Sequence, residues 1–354
     1  MKKNFVYLIL FCLICFGYTY GDLPENKNPQ KLFYPGSLAI LPQDGRTIFF
    51  EAFAAAKKTI RIEICVLEDP LILQSLNQAI NRGVHVKVNV DRGKYEELAD
   101  ERDNLAEYLT SAGGQLHLSN PIFPRSFPKI ILIDDGYVMI GSACLDTTTF
   151  MEYRDYVYVS DDCGLIDQMS QLFENDWHYS ARPGHSTPTF NPTPIITQPN
   201  VIIAPVNSAE KLVSFIQKAK RTLDVTSELL GNPTLESELY AAAAKGVRVR
   251  LIAPQIVNGA SSEEQQQQNV SLQNLKEAGV HIHVTLAPAS AKYPYMHART
   301  AIADGKYAYL GSISLSPDSS TFNREAGLIL KCKDLVKKLQ AQFEIDFKTK
   351  SVPE

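Results

Sequence analysis

The chain has 354 residues, of which 35 are basic and 39 acidic, for a net charge of −4, and 45% of it is hydrophobic. That length exceeds one ordinary domain and suits two of roughly 160 residues, each large enough to bury a core. The acidic balance weighs against a non-specific nucleic-acid clamp, which depends on a basic surface.

The N-terminal MKKNFVYLILFCLICFGYTYGD has two lysines, then an apolar run from Phe5 to Tyr20, with Thr19 and Gly21 where a signal peptidase reads small residues. Residues 1–21 are expected to be a cleaved signal peptide, which implies a secreted or periplasmic location. A membrane anchor is the alternative, but the run falls short of the roughly 20 apolar residues that span a bilayer. The segment holds two of the basic residues and none of the acidic ones, so the remainder has a net charge of −6. Cys65, Cys144, Cys163 and Cys332 follow it without metal-site spacing. They read as small apolar packing residues, with one optional disulfide in an oxidising compartment.

Helical periodicity over 44–58 is followed by β-rich runs at 60–66, 84–90, 129–133 and 137–140, and then again by a helix at 233–245 and a strand at 247–252. Such alternation predicts an α/β layer structure with helices on both sheet faces. The chain also repeats itself. AKKTIRI from Ala56 returns as AKRTLDV from Ala219, and GVHVKV from Gly83 as GVRVRL from Gly246, both at an offset of 163. SFPKIILIDDGYVMIGS from Ser126 returns as MHARTAIADGKYAYLGS from Met296 at an offset of 170. The extra seven residues are placed near SSEEQQQQN, read as a polar surface loop, in which Asn269 heads a glycosylation sequon usable in a eukaryotic host. ARPGHSTPTFNPTPIITQPN, residues 181–200, has five prolines in twenty residues and reads as a linker between halves 22–180 and 201–354. Duplicated halves predict a pseudo-two-fold, with equivalent loops meeting at the seam.

In the second copy His297 and Arg299 lie two apart on a predicted strand and point to one face. An imidazole beside a guanidinium suits attack on a phosphate ester, because the cation neutralises the oxygens where charge builds up. Glu325, further on within NRE, is a carboxylate of the kind that fixes an imidazole in one tautomer.

H-x-K-x4-D, then G-S-x-N and a later N-x-E, resembles the phospholipase D superfamily, and the resemblance runs through both halves from about Leu32 to Leu330. It implies two α/β sandwich halves related by a pseudo-two-fold, with both motifs meeting in one phosphodiester site. One histidine attacks phosphorus to give a phosphohistidine, the other protonates the leaving oxygen, and neither metal nor other cofactor is needed. Carried onto this chain, the catalytic set is His297 with Glu325 and Asp155, and the phosphate-binding set is Lys129, Arg299, Ser312 and Ser314. Asp134, Asp304, Gly141 and Gly311 are motif residues with structural tasks.

The departures are specific. Phe127 stands in place of the first histidine, Arg299 in place of the second lysine, and Cys144 and Ser314 in place of the two asparagines. Phe127 can neither attack nor donate a proton, and losing a positioned general acid costs on the order of 10²–10⁴-fold. The resemblance therefore implies a secreted phosphodiesterase or phosphatidyltransferase acting on phospholipid, with membrane-surface contact. The alternatives are a degenerate member that binds a phosphoester without turnover, or a secreted nuclease. Outside the motifs, His117, His281 and His283 read as ordinary strand residues, Trp177 as a packing anchor, and Asp161-Asp162 as a solvated turn.

Overall fold

The computed structural model describes residues 31–97, 108–286 and 289–349. The predicted signal peptide lies outside them.

In the first half, strands β1 (Leu38–Leu41), β2 (Thr59–Ile64), β3 (His85–Val90), β4 (Gln115–Leu118), β5 (Ile130–Ile133), β6 (Tyr137–Gly141) and β7 (Tyr153–Ser160) form one sheet in the order β1-β7-β6-β5-β2-β3-β4. The second half has β8 (Val201–Ala204), β9 (Thr222–Thr226), β10 (Arg248–Pro254), β11 (His281–Thr285), β13 (Arg299–Ala303), β14 (Tyr307–Gly311) and β15 (Glu325–Leu330). Its order, β8-β15-β14-β13-β9-β10-β11, is the same arrangement repeated. In both, the three strands at one side run parallel and the rest antiparallel. The duplication is thus one of fold as well as of sequence.

Local chemistry explains the shared elements. The helix Pro70–Asn81 starts at Asp69, whose carboxylate accepts from the amides of Leu71 and Ile72; in the second half Asn232 caps a helix at Pro233–Ala244 through Thr234 and Leu235. Each has proline in the first turn, where no amide hydrogen is missed. Asp134 accepts from the amides of Lys57, Lys58 and Thr59, and Asp304 from those of Lys220, Arg221 and Thr222. Each motif aspartate therefore fastens the turn after its own strand to the AKKT or AKRT segment that opens the neighbouring strand. Gly141 and Gly311 lie where strands approach closely: an added Cβ would fall 1.9 Å from the Tyr156 carbonyl oxygen and 2.5 Å from that of Ala326.

The inner faces of the sheets share one core with the helices Cys163–His178 and Lys333–Lys348, in which Ile130, Leu132 and Ile140 join Ile302, Leu310 and Leu328. Two buried ion pairs cross between the halves in mirror fashion: Arg154 grips Asp346 through two bonds of 2.8 and 2.9 Å, and Arg324 faces Asp176 at 3.0 Å. Both arginines immediately precede the acids at 155 and 325.

Three features differ from the sequence reading. SSEEQQQQN is not a loop but the start of a helix, Ser262–Glu277, because Ser261 and Glu264 form a reciprocal capping box. Cys65 and Cys144 are not mainly packing residues but form the one disulfide that the sequence reading left open, and Leu145 donates to the Val66 carbonyl alongside it (3.1 Å). Asp162 does more than sit in a solvated turn: it caps the helix that begins at Cys163 through the Leu165 amide. His117 stacks on Trp177 with ring centroids 3.7 Å apart.

Candidate active site

Two short pairings bring the motifs to the seam. A two-residue strand, β12 (Tyr295–Met296), lies parallel to the start of β7, Tyr295 opposite Tyr153 and Met296 opposite Arg154. His297 consequently emerges beside Asp155. The mirror contact pairs Ser126 with Arg324, and the Phe127 amide donates to the Arg324 carbonyl (2.7 Å). By the pseudo-two-fold, Phe127 is to Glu325 what His297 is to Asp155. His297 itself precedes the strand that starts at Arg299, rather than lying within it.

His297 Nδ1 is 2.8 and 2.9 Å from the two Asp155 oxygens, and Arg299 Nη1 is 3.0 Å from Nε2. A guanidinium only donates, so Nε2 accepts and the proton sits on Nδ1, facing the carboxylate. Burial, reinforced by the charges of Arg299 and Lys129, pushes the imidazole well below its ordinary pKa and keeps it neutral. Asp155 is completely buried and also accepts from the Ser142 hydroxyl (2.5 Å). Burial raises it to about 6 against the pull of Lys129 and Arg299.

Lys129 sits at a left-handed φ of 53°, just ahead of β5, and its Nζ donates to the Ser142 carbonyl (2.7 Å). It lines a small, largely apolar cavity together with Phe49, Ile64, Ile131 and Met139. Burial, then the Arg299 charge, lowers the ammonium to about 7, while Asp155, Glu228 and Glu325 pull the other way. Lys129, Arg299 and the three carboxylates therefore form one electrostatic cluster with His297.

Glu325 has no imidazole. Asn323 donates to its Oε1 (3.2 Å), Oε2 has no hydrogen-bond partner, and burial raises the carboxyl to about 7 despite the Arg299 charge. The Ser312 hydroxyl is engaged with the backbone of Ala326, and that of Ser314 with Ser316 (3.1 Å).

Several members of the cluster carry no motif signature. Glu228 accepts from Arg299 Nη2 and from the Tyr295 hydroxyl (2.8 Å), and its Oε2 lies 3.8 Å from His297 Nε2. Burial works to raise Glu228, but Arg299 and His297 outweigh it and hold the carboxyl below its ordinary range. Asn258 ties the Tyr295 and Tyr153 hydroxyls together (3.0 Å each), and the Tyr153 ring lies 5.2 Å from the His297 ring. The repeat alignment carried one usable signal: at offset 163 Glu228 takes the position of Cys65, so a charged residue replaces an apolar one at the end of an otherwise matching strand.

The same two stretches match a described family. Residues 49–177 and 212–347 each match "Cardiolipin synthase, PLD-like domain". The chain belongs to this phospholipase D-like family. The cardiolipin synthase of Geobacillus kaustophilus is 25% identical over 346 residues, covering 87% of this chain and 66% of that protein. The chain thus spans about two thirds of that relative's length. Among solved structures, phosphatidylserine synthase from Haemophilus influenzae superposes with a TM-score of 0.64 at 14% identity, over 88% of this chain and 86% of that one. Polyphosphate kinase from Porphyromonas gingivalis gives 0.61 at 16%, over 88% and 47%. At these identities the likeness is one of fold. No helix among the described residues is long and apolar enough to cross a membrane.

Proposed function

We propose that this chain is a phosphodiesterase or phosphatidyltransferase that acts on phospholipid with His297 as its nucleophile. The observation that carries this reading is the Asp155–His297 pair, which fixes the imidazole proton on Nδ1 and leaves the Nε2 lone pair free of a proton and beside a guanidinium. Nε2 attacks phosphorus and the bond to the leaving alcohol breaks. The imidazolium that results is stabilised by Asp155, and Lys129 and Arg299 balance the charge on the phosphoryl oxygens. Water or an acceptor alcohol then displaces the histidine. Phe127 cannot supply the proton for the leaving oxygen. Glu325, buried on the Phe127 side and raised to about 7, is the group we assign to that task. The family match and the cardiolipin synthase relatives support a phospholipid as substrate, and the N-terminal segment supports an extracytoplasmic location.

A second reading is favoured by Phe127 itself: a protein that binds the phosphoester without turning it over. The test assays wild type, His297→Ala, Lys129→Ala and Phe127→His on an activated aryl phosphodiester and on a natural phospholipid. A single-histidine enzyme cleaves the aryl ester far better than the phospholipid and loses both activities in His297→Ala. Binding without cleavage of either ester, unchanged in Phe127→His, establishes the binder instead. Cleavage of single-stranded nucleic acid in preference to both esters would make it a nuclease.

A further inference from the structure

Arg299 occupies the nitrogen that the proposed reaction needs. Its Nη1 donates into the Nε2 lone pair of His297, the electron pair that would attack phosphorus, at 3.0 Å. We propose that Arg299 is a latch over the His297 nucleophile, held closed by Glu228, and that an anionic phosphodiester opens it by drawing the guanidinium onto its own oxygens. This deepens the proposed function and rests on the phosphate site described there.

Glu228 is built to hold that position. Only 7% exposed, it accepts from Arg299 Nη2 on one oxygen and from the Tyr295 hydroxyl on the other, and that hydroxyl accepts from the Asn258 amide (3.0 Å). The carboxylate is thus anchored on the side away from the arginine. Arg299, by contrast, is only partly satisfied: its Nε is buried with no hydrogen-bond partner. Of its three nitrogens, Nη1 donates to a neutral imidazole, Nη2 to Glu228 and Nε to no acceptor. A phosphate diester offers two anionic oxygens matched to its fork, a stronger partner than a neutral imidazole. Glu228 must then compete with the ligand for Arg299, so the latch lowers phosphate affinity while keeping the nucleophile covered until an anion arrives.

The first half lacks this device. Cys65 takes the place of Glu228 and is bonded to Cys144, and the Lys129 ammonium donates to a backbone carbonyl. The latch is found beside His297, the histidine that the motifs retain, and at the equivalent place beside Phe127 there is no nucleophile to cover.

The experiment titrates inorganic phosphate and dimethyl phosphate into the full chain and into Glu228→Gln and Arg299→Ala, following ¹⁵N-labelled histidine by NMR. In the wild type, saturation shifts the His297 Nε2 resonance as it loses the guanidinium donor. Glu228→Gln binds dimethyl phosphate about tenfold more tightly, as expected when one competing buried charge is removed, and Arg299→Ala binds it more weakly. A merely structural role for Glu228 would weaken binding or leave it unchanged. If Glu228→Gln does not bind more tightly while Arg299→Ala binds more weakly, the latch is overturned and the phosphate site stands. If Arg299→Ala leaves binding unchanged, the phosphate site fails with it. Should Glu228→Gln not fold, Tyr295→Phe removes one anchor without touching the charge. It should tighten binding in the same sense by a smaller factor, and unchanged binding there overturns the latch.

Discussion

At the end of its second strand the first half carries Cys65, covalently joined to Cys144, and at the same place the second half carries Glu228, ion-paired to Arg299. At the neighbouring strand the contrast continues: Phe127 leaves Glu325 without an imidazole partner, whereas His297 engages both oxygens of Asp155. The backbone between these points is the same in strand order, capping and motif turns. A duplicated fold can therefore keep its scaffold while one copy replaces polar contacts with a disulfide and an aromatic ring, provided that the shared core and the two crossed arginine clamps remain. What the first half still supplies to the cluster around His297 is Asp155 and Lys129.

The largest break in this comparison should come from the two motif positions. His297→Ala is expected to lower turnover of an activated aryl phosphodiester on the order of 10⁴-fold or more, as removal of a nucleophile typically does. Phe127→Ala should change the same initial rate by no more than a few fold, and equal losses in the two variants would remove the distinction between the halves. Next is the covalent tie. The bridge closes a loop with a sequence separation of 79, so Cys65→Ser with Cys144→Ser should cost about 4 kcal/mol. Urea unfolding measures this, with a steeper slope expected because the unfolded chain without the bridge exposes more surface.

Restoring symmetry gives a smaller gain. Phe127→His should pair with Glu325, lower that carboxyl from about 7, and raise turnover of a natural phospholipid by on the order of 10²-fold. A carboxyl resonance of Glu325 that stays where it is in the wild type would show that the new imidazole does not reach it. The smallest effect is in pH. Lys129 loses its proton as pH rises through about 7, and Glu325 gains a negative charge over the same window, so both changes weaken anion binding above neutrality. Phosphate affinity should fall by up to about tenfold per pH unit for each of the two groups there. Lys129→Arg, which stays charged, should flatten that slope. On the acid side Asp155 takes up a proton near 6 and loses its hold on the His297 Nδ1–H, so turnover should fall below that pH.

The sequence by itself determined the duplication, the α/β layering and the residues on which the site is built, because these depend on local period and on strings that recur at fixed offsets. Strands β3, β5, β6 and β10 lie within a residue or two of where the β-rich runs put them. Only the tertiary structure decided which side chains face each other. Glu325 follows His297 in the same copy, yet the carboxylate bonded to His297 is Asp155 from the other half, because β12 crosses the seam to lie beside β7. Glu228 had no motif to announce it and enters the site 71 residues from Arg299. The disulfide depended on a meeting of loops 79 residues apart, and the helix at Ser262–Glu277 on a capping box within a stretch whose composition reads as loop. Periodicity records which face of an element is buried, while ion pairs, bridges and shared protons are contacts between distant segments, and these form only when the two sheets close on one core.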